Sequence, residues 1–373
     1  MYVYGAWRGL AIWMGWALVS SDLGLRRGVV VSRFSSESVV NRGSCLMLEI
    51  RLHSCVVAED LKLRSAVFAE LSPEKLSALS KLKPTRSALS IVAEWLIIAV
   101  LIIVCKLVQN PWMAAFAIVV IGSRQHSLAI LMHEGAHYHL ADNRSLNDRI
   151  AELFAAWPLM ISLPSYRANH FEHHRYANSM KDPDWRRKQN ADWAFPKTRM
   201  QMAALWLKVV FHVPLKLAFT CLTLDLPRFV NGRDWGREVL RASYYTMVLI
   251  AIFSMQLGKD FLVFWLVPYY LVFMPIAHLR SIAEHFGLEN NPAEPLTQTR
   301  TTKASLIESI LICPNHINYH LDHHLMPSVP FYNLPALHQL LSGSSAYAAR
   351  ASITNGYWGV ILECMRFGHP CKL

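Results

Sequence analysis

Two apolar stretches separated by only three residues constrain the fold of this chain more than any other feature. They run from Ala88 to Leu107 and from Pro111 to Met132, and each has the ~20 residues that a helix needs to cross the core of a bilayer. A second pair runs from Ala242 to Leu257 and from Phe261 to His278. Such short connections leave room only for tight turns. The sequence therefore predicts an all-α integral membrane protein with about four transmembrane helices in two hairpins.

The distribution of charge predicts how these hairpins lie in the membrane. Hydrophobic residues make up 53% of the chain and charged residues only 17%, against ~25% charged in soluble domains. Residues 133–238, between the hairpins, contain fifteen Lys or Arg, whereas the two turns contain only Lys259. Because basic loops stay in the cytoplasm, the large segments are expected to form a cytoplasmic helical cap. The net charge of +11 includes no long basic run of the kind that binds nucleic acid, so lipid or an acidic protein is the expected partner.

The chain divides into four expected regions. Residues 1–60 join an apolar, aromatic start to an Arg- and Ser-rich stretch, and they are expected to be a poorly ordered N-terminal extension. A targeting segment and a misassigned start, with Met47 as the true first residue, both fit this composition. Residues 61–87 predict a cytoplasmic helical segment, residues 88–345 the membrane domain, and residues 346–373 a C-terminal tail.

Polar residues interrupt the second apolar stretch at GSRQHS, from Gly122 to Ser127. One interpretation places Arg124 and His126 near the membrane interface or against protein. The other interpretation is that they line a cavity that leads to a functional site within the membrane. The sequence leaves both open.

Histidine is the residue type that indicates chemistry, since eleven of the seventeen histidines fall in four short stretches. These are HEGAH with His139 close behind, NHFEHH, AEH and NHINYHLDHH. Positions i, i+3 and i+4 share one face of a helix, so H-x-x-H-H is expected to aim three imidazoles at one volume. The histidines outnumber the three protein ligands of a catalytic zinc, so a site for two metal ions is expected. Imidazole alone does not choose among Fe, Zn, Cu and Ni, and the seven scattered cysteines form no C-x-x-C.

The stretch HEGAH, from His133 to His137, has more than one interpretation. As H-E-x-x-H it is the pattern of zinc proteases, with Glu134 as the general base. As H-x-x-x-H it is one part of a larger histidine site. The protease interpretation leaves the other stretches unexplained and places Gly135, a weak helix former, inside the helix. A protein that stores or transports metal without catalysis is a third interpretation.

Taken together, these stretches resemble the membrane fatty acid desaturase/hydroxylase superfamily. H-x-x-x-H, H-x-x-H-H and H-x-x-H-H occur in this order, interleaved with the two predicted hairpins. The flanking sequences RQHSLAILMHEGAH, YRANHFEHHRYANSMKDPD, HLRSIAEHFG and NHINYHLDHHLMPSVPFYNLPALH are similar to the bacterial acyl-lipid desaturase branch. The resemblance covers roughly residues 85–345 and excludes the first 60. It implies a multi-pass protein of the bacterial inner membrane.

The resemblance also implies a chemistry and a set of metal ligands. Members hold two iron ions in a non-haem centre and use O2, with electrons from a ferredoxin or cytochrome b5 type donor, to act on an unactivated C–H bond of a lipid or acyl substrate. Desaturation is the expected reaction, and hydroxylation and ketolation remain alternatives. Ser281 stands where some acyl-CoA desaturases have an Asn that holds a metal-bound water, which puts that detail in doubt. The implied metal ligands are His133, His137, His170, His173, His174, His285, His320, His323 and His324.

Carboxylates near these histidines are candidates for orienting them, because a metal-bound imidazole usually donates its other N–H to a carboxylate or carbonyl. In that role Glu134 would orient a histidine rather than act as a protease base. The other candidates are Glu172, Asp182, Asp184, Glu284 and Asp322. No H-P-G-G haem-binding stretch is present, so the electron donor is expected to be a separate, acidic protein that docks on the basic cytoplasmic face.

Overall fold

The structure is a computed structural model that describes residues 66–223, 235–286, 288 and 295–366. The extension expected over residues 1–60 lies outside the described residues, and so does the end of the expected C-terminal tail. Of the described elements, the first helix relevant to the site is α1 (Pro73–Leu79). The Ser72 side chain caps it by accepting a hydrogen bond from the backbone N–H of Lys75.

The first expected hairpin consists of helix α2 (Pro84–Val108) and helix α3 (Pro111–Ala136). The connection is short because Gln109 adopts a left-handed conformation that ends α2. The Asn110 side chain then accepts hydrogen bonds from two backbone N–H groups of the first turn of α3, which begins with a proline. At 25 and 26 residues, both helices are longer than the ~20 residues needed to span a bilayer.

Helix α9 (Gly258–His285) is the third element that can cross a membrane. It contains two π-helical turns, Leu262–Leu266 and Tyr269–Phe273. Among the described residues, α2, α3 and α9 are the helices long and apolar enough to span a membrane. A mostly helical protein with helices able to span a membrane is therefore confirmed.

The remaining expected span, Ala242–Leu257, falls on helix α8 (Trp235–Ser254). This helix is not among the three candidate spans, because the charged residues Arg237, Glu238 and Arg241 occupy its first two turns. The expected count of four membrane helices is therefore not confirmed.

Helix α3 is the central helix of the described structure. Its second half, from Ile121 onward, is buried, whereas α2 exposes a row of large apolar side chains along its length. Gly122 lets α3 approach α9 closely, since a Cβ at this position would lie 2.4 Å from the Cβ of Val272. This packing places the C-terminal end of α3, with its histidines, next to the end of α9.

The segment between α3 and α8 supplies the second histidine stretch. Its described residues form four helices, of which the first continues into a π-helical turn, Glu152–Ala156. The four helices are α4 (Arg144–Ala151), α5 (Leu163–Tyr176), α6 (Pro183–Arg187) and α7 (Arg199–Thr223).

The segment after α9 supplies the third histidine stretch and then returns to support it. Strand β1 (Thr301–Lys303) pairs in parallel with strand β2 (Ile353–Asn355), with Thr301 opposite Ile353. This small pair is a departure from the expected all-α fold, and it joins the C-terminal segment to the chain that leads into the histidines. The helices of this part are α10 (Pro295–Gln298), α11 (Leu306–Leu311), α12 (His320–Leu325), α13 (Leu334–Leu341), α14 (Ser345–Arg350) and α15 (Gly356–Arg366).

Candidate metal centre

All nine histidines named from the sequence converge at the ends of four helices: α3, α5, α9 and α12. They form two groups, and in each group the candidate ligand atoms all lie within 4.8 Å of one another. Either group could hold a metal ion. The five-histidine group consists of His133, His137, His170, His174 and His323, and the four-histidine group of His173, His285, His320 and His324.

The division between the groups follows the geometry of the helix. The first and last histidines of each H-x-x-H-H motif, four residues apart, stay in the same group. The second histidine of each motif crosses over: His173 belongs to the four-histidine group and His323 to the five-histidine group. The expectation that each motif aims three imidazoles at one volume is therefore wrong. Neighbouring residues on a helix point about 100° apart, so they face different groups.

The spacing of the ring nitrogens fits metal ions. In the five-histidine group, Nε2 of His170 lies 2.9 Å from Nε2 of His137 and 3.0 Å from Nε2 of His174. In the four-histidine group, Nε2 of His320 lies 3.0 Å from Nε2 of both His285 and His324. Two nitrogens bound at right angles to one metal at ~2.1 Å are about 3.0 Å apart. The donor set and its spacing therefore fit one metal ion in each group.

Burial favours the neutral form of five grouped histidines that lie outside the membrane helices. Burial, together with the neighbouring imidazoles, lowers the pKa of His170, His323 and His324 well below the usual value of histidine. The same causes lower the pKa of His137 and His320. A neutral imidazole is the form that binds a metal ion.

Glu134 orients two histidines at the end of α3. One of its carboxylate oxygens lies 3.2 Å from Nδ1 of His133, and the other lies 2.9 Å from Nδ1 of His139. The second oxygen also accepts a hydrogen bond from the backbone N–H of Phe331, at 3.0 Å. Both oxygens are thus occupied by orienting contacts, which fits the expected role better than that of a protease base.

Two more of the candidate carboxylates contact histidines of the four-histidine group. Asp182 is buried, and its Oδ2 lies 2.8 Å from Nδ1 of His173. Glu284 lies 3.4 Å from Nδ1 of His320 and accepts a hydrogen bond from Arg280 at 2.8 Å. In each case Nδ1 faces a carboxylate and Nε2 faces the group, as is usual for metal-bound imidazoles.

The remaining candidate carboxylates do not contact the grouped histidines. Glu172 is exposed. Asp184 accepts a hydrogen bond from Asn169 at 3.1 Å. Burial alone would raise the pKa of Asp184, but nearby positive charges, first that of Lys188, lower this pKa to about 2. Asp322 belongs to a different buried cluster, in which it accepts hydrogen bonds from Tyr347 and Thr301 and contacts Nδ1 of His338, at 2.7, 2.8 and 3.2 Å.

Three further histidines lie outside both groups. His139 is not grouped and instead contacts Glu134, because α3 ends at Ala136 and the chain turns. His316 is exposed and also stays outside both groups. His338, which lies outside the four histidine stretches, supports the third of the motifs through Asp322. Its position in α13, far from the motifs in sequence, carries no signal that could have identified it.

Ser281 has a basic neighbour that the sequence did not indicate. The Lys188 amino group lies 2.6 Å from the Ser281 hydroxyl, one helical turn before His285. Burial lowers the pKa of Lys188. This contact joins the segment that carries Asp182 to the helix that carries His285.

The polar interruption in α3 faces protein. Arg124 is buried and forms an ion pair with Glu94 of α2 at 3.2 Å. Ser127 donates a hydrogen bond to the same carboxylate at 2.7 Å. His126 is buried against Phe273, with 6.1 Å between the ring centroids. These contacts agree with the interpretation that Arg124 and His126 pack against protein.

Helices that can span a membrane, together with two buried groups of histidines able to hold metal ions, define a class of membrane metalloprotein. The model of the fatty acid desaturase family matches residues 110–354, and the chain belongs to this family.

Several proteins are similar to this chain over most of its length. A dihydrorhizobitoxine desaturase from Bradyrhizobium elkanii is 27% identical over 313 residues, which are 80% of this chain and 88% of that protein. An sn-1 oleoyl-lipid 12-desaturase from Anabaena variabilis is 24% identical over 60% of this chain and 67% of its own length. A zeaxanthin 4-ketolase from Chlamydomonas reinhardtii is 23% identical over 58% of this chain and 42% of its own length. The family and these relatives support the classification of this chain as a lipid oxidoreductase.

Proposed function

We propose that this chain is a membrane-bound di-iron oxidoreductase that uses O2 and an external electron donor to desaturate a fatty acyl chain or a related lipid. The observation that carries the proposal is the convergence of nine histidines into two groups with metal-like nitrogen spacing. All nine act as metal ligands in this proposal, and no other residue is assigned a catalytic role.

Bound iron would supply the activation of O2 and the cleavage of an unactivated C–H bond. The residues of the chain hold and orient this centre. Glu134 and Asp182 contact the Nδ1 atoms of ligand histidines and so fix which nitrogen points inward. Glu284 lies 3.4 Å from Nδ1 of His320. Burial of most of these rings excludes bulk water from the site, which favours reaction with an apolar substrate.

Hydroxylation or ketolation is the alternative within the family. The similarity to a zeaxanthin 4-ketolase supports this alternative, because the relatives of this chain are named for different reactions. The desaturases among the relatives, including one that acts on an oleoyl lipid, favour desaturation. The zinc protease interpretation has less support, since both oxygens of Glu134 are held by orienting contacts.

An acidic electron carrier such as a ferredoxin or cytochrome b5 is the proposed donor. The surface beside the four-histidine group offers a basic place for it: an open groove of about 430 Å³ lined by Asn169, Pro183, Arg186 and Arg187. Helix α6, which contains both arginines, directly follows Asp182, the partner of His173. The proposal places this face in the cytoplasm and the protein in a bacterial inner membrane.

The test of the reaction is expression in a host that has a compatible reductant, followed by mass spectrometry of the total lipids. A lipid that has lost two hydrogens relative to its precursor supports desaturation, and a lipid that has gained oxygen supports hydroxylation or ketolation. Changing His173 or His323 to Ala should abolish the product, whereas His316→Gln should not, because His316 is exposed and belongs to neither group.

The test of the cofactor is metal analysis of the purified protein. About two irons per chain are expected from the two groups. A preparation that is active without iron would contradict the proposal.

A further inference from the structure

Helix α11 presents an apolar face that no described residue covers. Leu306, Ile307 and Ile310 are 76%, 71% and 51% exposed. These positions lie within about 100° of one another around the helix, so they form one face. The opposite side contains Glu308, whose carboxylate accepts hydrogen bonds from Ser305 at the start of the helix and from the backbone N–H of Tyr357.

Helix α15, next to α11, also exposes a large apolar side chain. Trp358 is 66% exposed, and it follows Tyr357, whose backbone N–H lies 2.7 Å from Glu308. Exposed Trp side chains are enriched at the boundary between lipid and water. Helix α15 is thus joined to α11 through Glu308, and both helices expose large apolar side chains.

The exposed side of α2 gives a scale for depth in the bilayer. Its exposed apolar side chains begin at Leu89 and end at Val108, a rise of about 28 Å, which is close to the ~30 Å hydrocarbon core. The Leu89 end is the one nearer the histidine groups, because Ser87 donates a hydrogen bond to the His139 carbonyl at 3.2 Å. Glu94 lies five residues inside this end, at a depth of about 7–8 Å.

The ion pair of Glu94 and Arg124 places α11 at the same depth. Arg124 donates a hydrogen bond to the carbonyl oxygen of Ile310, and Ser123 donates another to it at 3.1 Å. Ile310 therefore lies near the level of Glu94, inside the part of the bilayer that α2 defines. A depth of about 5–10 Å is that of an amphipathic helix at the membrane interface.

The same carboxylate fixes the chain that follows α11. Ser127, which donates to Glu94 at 2.7 Å, accepts a hydrogen bond from the Asn315 side chain, also at 2.7 Å. Asn315 is five residues before His320. The segment from Ile310 to Asn315 is thus attached at both ends to the α2–α3 hairpin, and it leads directly into the third histidine stretch.

We infer that α11 lies in the lipid leaflet nearest the histidine groups, with Leu306, Ile307 and Ile310 among acyl chains and Trp358 at the headgroup level. The occupant of the exposed face is lipid, because the face is continuous in depth with the lipid-facing surface of α2. The inference concerns membrane contact and is independent of the reaction that the protein catalyses.

Photocrosslinking tests this inference on the full chain in nanodiscs of phosphatidylethanolamine and phosphatidylglycerol. A benzophenone amino acid at Ile307 should give lipid adducts, with the attachment on the acyl chain when the adduct is analysed by mass spectrometry. The matched control is the same amino acid at Lys303, an exposed position of β1 four residues earlier. About tenfold less lipid adduct is expected there, because that position faces water. Val100, exposed on α2, is the positive control.

Three outcomes would overturn the inference. The first is no lipid adduct at Ile307 while Val100 gives one. The second is equal adduct yields at Ile307 and Lys303. The third is a crosslink between two copies of the chain at Ile307, which would make the face a protein interface.

Discussion

Replacement of Asp182 by Asn tests whether the carboxylates around the histidines control metal binding. Asp182 is buried, and its Oδ2 is 2.8 Å from His173 Nδ1 and accepts the backbone N–H of Asn178 at 3.0 Å. Its Oδ1 accepts the backbone N–H of Asp184 at 2.8 Å, which caps α6. Because Asn caps a helix as well as Asp does, the substitution removes the charge while leaving the start of α6 intact.

The expected loss can be estimated in two ways. A hydrogen bond to a charged group contributes about 1.5–3 kcal/mol. Removing the orienting partner of a metal-bound histidine typically weakens metal binding about 10- to 100-fold, which corresponds to about 1.4–2.8 kcal/mol. The two estimates agree, so iron in Asp182→Asn should be released at a chelator concentration about 10- to 100-fold lower than in the unchanged protein.

The assay measures the iron retained per chain after dialysis against increasing chelator. The matched control is Asp184→Asn, which changes the other acid of the same D-P-D sequence but contacts no grouped histidine and bonds to Asn169. The control should shift the release midpoint by less than about threefold, because the Asp184 carboxylate bonds to Asn169 and Arg187 and orients no imidazole of the groups. Unchanged iron retention in Asp182→Asn, or an equal loss in both variants, would refute the reasoning.

Three further predictions concern other positions. A Cβ at Gly135 would lie 2.4 Å from the Ala151 Cβ. Gly135→Ala should therefore lower the free energy of unfolding by about 1–3 kcal/mol and lower the melting temperature. The control Gly236→Ala should not, because a Cβ there would meet no atom within 4 Å. Glu134→Gln should lower iron retention about tenfold yet keep partial activity in a lipid assay; complete loss with full iron retention would favour a general base. Burial raises the pKa of Glu152 to about 7, so between about pH 4.5 and 7 this side chain is ionised in the unfolded chain and protonated in the folded one, and the free energy of unfolding falls as the pH rises. In thermal melts at several pH values, Glu152→Gln should remove up to ~3 kcal/mol of that fall. The same pH profile in the variant and the unchanged protein would contradict the raised pKa.

The helices that bear the site could be predicted from the sequence because their signals are local. The apolar stretch starting at Ala88 and the helix starting at Pro84 differ by only a few residues, since Pro is favoured in the first turn of a helix. The prediction of four spans depended, for the stretch Ala242–Leu257, on apolar composition alone. Arg237 and Arg241 fall just outside the stretch that was read as a span, but inside the helix that forms.

The partition of the histidines could not be predicted from the motifs. Spacing shows that His170 and His174 lie on the same face of α5. It does not show which group His173 joins, because that depends on the histidines that other helices bring next to it. The orienting contacts have the same limit. Asp322 lies between His320 and His323, yet its partners Tyr347 and His338 come from the C-terminal part of the chain. The pairing of β1 with β2 holds this part of the chain beside the segment that leads into the histidines.

The crossing of His173 and His323 has a consequence for how the centre assembles. Helices α5 and α12 each contribute to both histidine groups, so two bound ions would hold the same pair of helices. The first ion to bind would immobilise the two helices that also carry ligands of the second ion, and the departure of either ion would free those helices to move. Occupancy should therefore be concerted, with empty and doubly filled molecules outnumbering those that hold a single ion.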